Sequence, residues 1–238
     1  MTKAIARDRI YRRRRFQSET IELCVRWYIT YRLSYRDLVA MMAEHGLAVS
    51  HTTILRWVLR YVPEFEKRWN RYARGVNSSW RVDETAVPVR GGRHYLYRAV
   101  DKRGKTVGSL LCSDRSRDAA RAFFRKAVAT HRVWPRKITL DGNGGSHLAL
   151  RMLREENSRW RHVLVRSRRY LNNIVEQDHR AIKRRCAPML GLKSFRSASI
   201  TLAGIELAHR IRKRQFSFGR NRPRRSWSLK AEWDRALA

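Results

Sequence analysis

The sequence predicts a two-part chain: an all-α head followed by an α/β body in which helices cover a mixed sheet. Three observations carry this expectation. Between Ile21 and Val62, apolar residues recur at helical spacing, broken only by turn residues and by serines placed to cap the next helix. From Trp80 the period becomes that of strands, three in succession, bounded by glycine turns. Beyond Ser116, helical and strand patterns alternate, and alternating elements of this kind build a sheet with helices on its faces.

The head is preceded by a basic segment, residues 1–15, whose run Arg12 to Arg15 reads either as an arm for phosphates or as a solvated, disordered tail. Ile21, Cys24, Val25 and Tyr28 give a first apolar stripe, ending near Leu33. Ser34 then caps a second helix, with Asp37 as capping-box partner; Tyr35, Leu38, Val39 and Met42 are its apolar positions, and Gly46 suits the C′ position. Ser50 caps a third helix with Leu55, Val58 and Val62 inward, which Pro63 is expected to end. A generic three-helix bundle shares this spacing. Helix, short turn, helix with these caps is also the helix-turn-helix pattern, whose second member lies in the major groove of DNA. On that reading His51, Thr52, Thr53 and Arg56, polar and off the buried stripe, are the base-reading residues of a domain spanning 16–63. Residues 64–79 read as a charged helical connector ending in Gly75 and Asn77-Ser78-Ser79.

The body, residues 80–215, opens with strands at 80–89, 94–100 and 106–112, turned at Gly91-Gly92 and at 101–104. A helix at 116–130 turns Ala119, Ala120, Phe123, Phe124 and Ala127 inward, and a short buried strand at 137–140 ends at Asp141. A helix at 148–157, a strand at 162–165 and a helix at 170–185 come next. A three-strand meander, then α-β-α-β-α, is the element order of a ribonuclease-H-like fold with a five-stranded sheet. Trp134 and Trp160 are expected in its core. A last amphipathic helix, 197–214, leads into a basic tail, 216–238.

The chain carries 54 Lys and Arg against 20 Asp and Glu, a formal net charge of +34. Such a chain seeks polyanions, and its preference for Arg over Lys suits bidentate phosphate contacts; double-stranded DNA is the leading partner. A membrane partner is disfavoured: no apolar run of about 18 residues occurs, and no basic amphipathic helix stands apart from a core. The N-terminus lacks a signal-peptide pattern, and Cys24, Cys112 and Cys186 are far apart with no CxxC pair. Both features point to a reducing cytoplasm rather than an oxidising compartment, and against structural zinc.

The helix at 170–185 holds the first chemical signal. Asn172 or Asn173 suits its N-cap, and Ile174, Ala181, Ile182, Cys186 and Met189 gather on one side. Glu176, Arg180 and Lys183 form a stripe roughly opposite, which taken alone is an ordinary solvated i,i+4 pair. The topology changes its meaning. Asp83 lies in the first strand and Asp141 at the end of the fourth, neighbours in ribonuclease-H-like sheets, so the two carboxylates are expected to meet, with Glu176 approaching the same edge. Three carboxylates around one point repel unless a cation sits between them, and hard divalent ions with oxygen ligands fit. Alternation along the strand turns Glu84 to the other face. Asp101, Asp114, Asp118 and Asp178 are expected to be turn, cap or surface charges.

The spacing Asp83, Asp141, Glu176, with 34 residues between the last two and Lys183 seven beyond, resembles the DDE transposase and integrase core. Trp80-Arg81-Val82-Asp83-Glu84-Thr85, the segment from Tyr95 to Asp101, the whole run from Tyr170 to Arg185, and Gly191-Leu192-Lys193-Ser194-Phe195 resemble bacterial insertion-sequence transposases of family six. So do Leu23 to Tyr28 and Leu33 to Leu38 in the head. That resemblance implies that Asp83, Asp141 and Glu176 are catalytic metal ligands, holding two Mg²⁺ ions with Mn²⁺ as a substitute, and that Lys183 and Arg180 contact phosphates. It also implies cleavage of DNA ends by water, attack of the freed 3′-hydroxyl on target DNA, a replicative cointegrate route, and a homo-oligomer working on paired terminal inverted repeats with no small-molecule substrate. One departure is visible: Gly142-Asn143-Gly144-Gly145 comes after Asp141 where bulkier residues are the pattern, and glycine loosens a loop holding a ligand. The competing expectations are a regulator or inactive copy that binds repeats without catalysis, and a stand-alone ribonuclease-H-type nuclease.

Overall fold

The computed structural model describes residues 8–12, 15–131, 133–141, 144–167, 173–189, 192–218 and 228–238. The head holds α1 (Ser18–Thr30), α2 (Tyr35–Glu44) and α3 (His51–Asn70). Its caps are those expected. Ser34 Oγ accepts from the Asp37 amide at 3.2 Å while the Asp37 carboxylate accepts from the Ser34 amide at 2.6 Å, and Ser50 Oγ accepts from the Thr53 amide at 3.2 Å. Gly46 takes φ +70°, the left-handed turn that ends α2.

Pro63 does not end α3; it sits inside a helix that runs on to Asn70. An interior proline forfeits one backbone hydrogen bond and crowds the preceding turn. Here that cost is met by apolar burial on both sides of it, from Trp57, Val58, Tyr61 and Val62 before it and from Phe65 and Trp69 after it. Ile54, not Leu55, takes the inward position in the first turn.

The body has β1 (Ser79–Val89), β2 (Gly92–Asp101), β3 (Thr106–Cys112), α4 (Arg117–His131), β4 (Lys137–Leu140), α5 (Gly144–Glu156), α6 (Ser158–Arg161), β5 (Leu164–Ser167), α7 (Asn173–Cys186), α8 (Phe195–Arg212) and α9 (Leu229–Leu237). The sheet order is β3-β2-β1-β4-β5, with β1/β2 and β2/β3 antiparallel and β1/β4 and β4/β5 parallel. This is the ribonuclease-H-like arrangement. One face buries Trp80, Tyr97, Phe123, Phe124 and Leu150, with Trp160 meeting Trp134 edge-on at 5.2 Å. The other buries Val87, Leu96 and Leu111 with Ile182, Leu202 and Ile205 of α7 and α8. Cys24, Cys112 and Cys186 are all free. The predicted β5 is two residues early, because α6, capped by Asn157 accepting from the Arg159 amide at 2.9 Å, occupies part of the connection.

Helix α8 joins the two parts. Its later residues Leu207, Ala208 and Ile211 belong to the head's core, and a Cβ on Gly204 would lie 2.7 Å from Ile29 Cγ2, so only glycine allows this approach. The tail is not merely basic: α9 buries Trp233 between Trp69 and Phe65, ring centroids 5.1 and 5.7 Å away. Leu229, Trp233, Ala236 and Leu237 were readable at helical spacing, but the Arg- and Pro-rich run before them masked the signal.

Where α7 meets the head, Arg185 is 5% exposed, and its guanidinium finds no hydrogen-bond acceptor among the described residues. It lies 5.2 Å from the Tyr28 ring centre, and burial pushes its pKa down to about 10. An unpaired buried cation costs more than one cation–π contact returns. Arg185→Met is therefore expected to stabilise the fold by about 1 kcal/mol, read as a higher urea midpoint; a lower midpoint would show that the Tyr28 contact dominates.

Candidate active site

The parallel register of β1 on β4 pairs Ser79 with Lys137, Trp80 with Ile138 and Arg81 with Thr139. Continued two residues further, it brings Asp83 level with Asp141, just past the end of β4. Oxygen atoms of Asp83, Glu84 and Asp141 all lie within 4.8 Å of one another. Asp83 and Asp141 thus meet as the topology required.

Glu84 was expected to stand apart, and it does not. Its backbone obeys alternation: it pairs with Tyr97 on the α4 side, while Asp83 pairs with Arg98 on the α7 side. But β4 stops at Leu140 while β1 runs on to Val89, so the sheet is open beside this stretch of β1 and a glutamate is long enough to reach the Asp141 end. The Glu84 side chain is 2% exposed and ion-paired with Arg115, whose Nε lies 3.1 Å from Glu84 Oε1 and whose guanidinium covers the Tyr95 ring. Burial raises the Glu84 pKa above the usual carboxylate value; Arg115 opposes this, and the charges of Asp141 and Asp83 add to it.

Glu176 is not in this group. It stands exposed in the first turn of α7, with Arg180 and Lys183 exposed along the same outer stripe. The inward face of α7 is Val175, Asp178, His179 and Ile182; of the expected stripe, Ile182 is buried and Cys186 and Met189 pack against the same cluster, while Ile174 is 36% exposed. His179 Nε2 lies 3.3 Å from Asp83 Oδ2.

Asp178, expected at the surface, lies at the centre of an ion network. Arg98 Nη2 donates to it at 3.1 Å and Lys213 Nζ at 2.5 Å, while His209 Nε2 lies 3.1 Å from its other oxygen. Arg98 also grips Glu206 through Nε at 2.5 Å and Nη2 at 3.0 Å. Burial alone would raise the Asp178 pKa; the His209 hydrogen bond and the charges of Arg98 and Lys213 outweigh it and hold the carboxyl far below its usual range. A signal existed: an arginine in mid-strand among apolar residues demands a buried acid.

In the head, His51, Thr52 and Arg56 are exposed and Thr53 half-buried at the start of α3. The Thr52 and Thr53 hydroxyls each lie 2.9 Å from Ser50 Oγ, so both are engaged in the cap. Gly142, Asn143 and Asn172 lie outside the described residues; Gly144 and Gly145 begin α5, and Asn173 begins α7. No helix among the described residues is long and apolar enough to cross a membrane.

Sheet order and the acidic edge define a class, the integrase-like cores, and the family comparison agrees: the model of a DDE domain (DDE_Tnp_IS240) matches residues 77–215. The transposase of the insertion sequence-like element IS431mec from Staphylococcus aureus is 32% identical over 204 residues, 86% of this chain and 89% of the relative. The transposase of insertion sequence element IS257 in transposon Tn4003, also from Staphylococcus aureus, matches with the same identity and coverage. Among solved structures, the HTLV-2 integrase catalytic core domain in complex with magnesium (trimeric form) covers 56% of this chain and 86% of its own, at 14% identity and TM-score 0.42. The catalytic core of BIV integrase covers 55% and 82%, at 19% identity and TM-score 0.41. The chain belongs to the DDE transposases of bacterial insertion-sequence family six.

Proposed function

We propose that this transposase binds the terminal inverted repeats of its element and catalyses divalent-metal-dependent 3′-end cleavage and strand transfer into target DNA, by a replicative cointegrate route and as a homo-oligomer on DNA. The meeting of Asp83 and Asp141, with Glu84 beside them, carries the reading. A set of carboxylate oxygens this close fits Mg²⁺ or Mn²⁺, which favour hard oxygen donors, better than zinc or copper. Asp83 and Asp141 would hold the metal, with Glu176 as the further ligand that the family resemblance implies. When bound, a pair of such ions supplies an activated water or hydroxyl and offsets charge on the phosphate under attack.

The chain's own residues do the remaining work. Arg180 and Lys183, beside Glu176 on the outer stripe of α7, bind phosphates of the element's end; the net charge of +34 supports that role. His51, Thr52, Thr53 and Arg56 at the start of α3 read bases in the major groove. Arg56→Ala is expected to weaken binding to the cognate end by about 1–3 kcal/mol if it contacts a base bidentately. Competition between cognate and random duplex in a mobility-shift assay checks this; equal losses on both would remove the base-reading role.

A second reading is a binder of repeats without catalysis, and the exposure of Glu176 outside the acidic group favours it. Strand transfer with pre-cleaved repeat ends in Mg²⁺ separates the two. Joined product supports the enzyme; folded protein that shifts the ends but yields no product supports the binder.

A further inference from the structure

A buried imidazole ordinarily has hydrogen-bond partners on its ring nitrogens. His179 is 5% exposed on the inward face of α7, and neither of its nitrogens makes a hydrogen bond of good geometry among the described residues. The carboxylate within ion-pair distance of it is Asp83, with Nε2 3.3 Å from Oδ2. That is close enough for a small rotation of either side chain to complete a bond. Asp178, the residue before it, is occupied by Arg98, His209 and Lys213, which fixes this turn of α7 against β2 and α8. Glu176 lies three residues earlier, a neighbouring position on the helix. The His179 ring is thus a buried imidazole beside a candidate metal ligand and carried by the helix that bears the other.

We propose that His179 is a positioning residue for the metal centre: its Nε2–H donates to Asp83, fixes the rotation of that carboxylate, and keys the Glu176 turn of α7 to the acidic edge. This deepens the metal reading above and rests on it. A direct ligand role fits less well, since imidazole is a poor match to Mg²⁺ and Mn²⁺, and His179 is absent from the close acidic group. Partners that orient a ligand contribute substantially to metal affinity, and losing one typically weakens binding by about 10–100-fold.

The test uses the full chain and Mn²⁺ followed by electron paramagnetic resonance, with strand transfer and thermal melting in parallel. His179→Leu, which keeps bulk without a donor, is expected to weaken Mn²⁺ binding by about 10–100-fold and to slow strand transfer, while end binding persists. His179→Gln places an amide nitrogen near the Nε2 position and is expected to recover most of the Mn²⁺ affinity. His179→Asn, whose amide falls short of Asp83, is not. Wild-type affinity in His179→Leu would overturn the proposal. So would equal losses in His179→Gln and His179→Asn, which mark a purely packing role; that pair decides the matter if the leucine variant does not fold. Asp83→Asn is the control. If it binds Mn²⁺ as well as wild type, Asp83 is not a metal ligand, and this inference falls with that part of the metal reading. If Asp83→Asn loses Mn²⁺ and His179→Leu does not, only the role of His179 falls.

Discussion

Arg98→Met is expected to destabilise the fold by about 3–5 kcal/mol, the usual consequence of removing one partner from a buried ion network. Arg98 is fully buried in the middle of β2, and its guanidinium holds Glu206 of α8 and Asp178 of α7 together. Asp178 keeps His209 and Lys213 when Arg98 is lost, but Glu206, 5% exposed, keeps a charge without its arginine. Urea unfolding followed by tryptophan fluorescence measures the loss. Arg98→Met combined with Glu206→Leu is expected to recover much of it, because an apolar pair leaves no stranded charge. The pH dependence arises from Asp178. A carboxyl held below its usual value adds stability that is complete above the unfolded value, 3.8, and drains away as pH falls below it. In Arg98→Met the Asp178 pKa moves back up, so the variant loses less on acidification than wild type does. A loss under about 1 kcal/mol, the worth of an exposed pair, would mean that the network contributes little.

The same network explains what could and could not be read in advance. β3 and β4 were legible to the residue, and β1 to within one, because β-branched and aromatic runs end at glycine or aspartate turns. The caps at Ser34 and Ser50 were legible because each needs only one short side chain at a known offset. The meeting of Asp83 with Asp141 came from topology, since parallel pairing of β1 with the shorter β4 sets mid-strand Asp83 level with the residue just past the end of β4. Glu84 escaped because alternation describes which face a Cβ leaves from, not where a long side chain ends when the neighbouring strand is only four residues long. Asp178 and His179 escaped for a related reason. A stripe drawn from apolar residues alone assigns charged positions to solvent, so it finds Ile182 and misses the acid and the imidazole that extend the same buried face toward Arg98 and Asp83 on the sheet. Pro63 does not act as a stop, because its local cost is smaller than the gain from burying Phe65 and Trp69 beyond it.

Asp83→Asn should abolish strand transfer and at the same time make the metal-free protein more stable. If Asp83 holds the catalytic ions as proposed, its loss forfeits several kcal/mol of transition-state stabilisation, on the order of a thousand-fold or more in rate. On the proposed reading, end binding rests on the head and the basic surface, so it is expected to persist. The stability gain has a separate cause. Asp83 lies within 4.8 Å of Glu84 and Asp141, and removing one of three close negative charges relieves repulsion on the order of 1–3 kcal/mol at surface-like screening. The sign can be checked against pH. Glu84, its pKa raised by burial and by Asp141 and Asp83 against the pull of Arg115, contributes stability that is complete below its unfolded value, 4.5, and is lost as pH rises through the higher folded value. Without the Asp83 charge that folded value drops, so the variant should lose less stability between pH 4.5 and neutrality. Melts without metal at several pH values, repeated with Mg²⁺, separate the two effects: wild type gains stability from the ion and Asp83→Asn does not. A variant that melts higher without metal yet still joins ends in Mg²⁺ would leave Asp83 as an acidic neighbour of the site and shift the metal to Asp141 and Glu84.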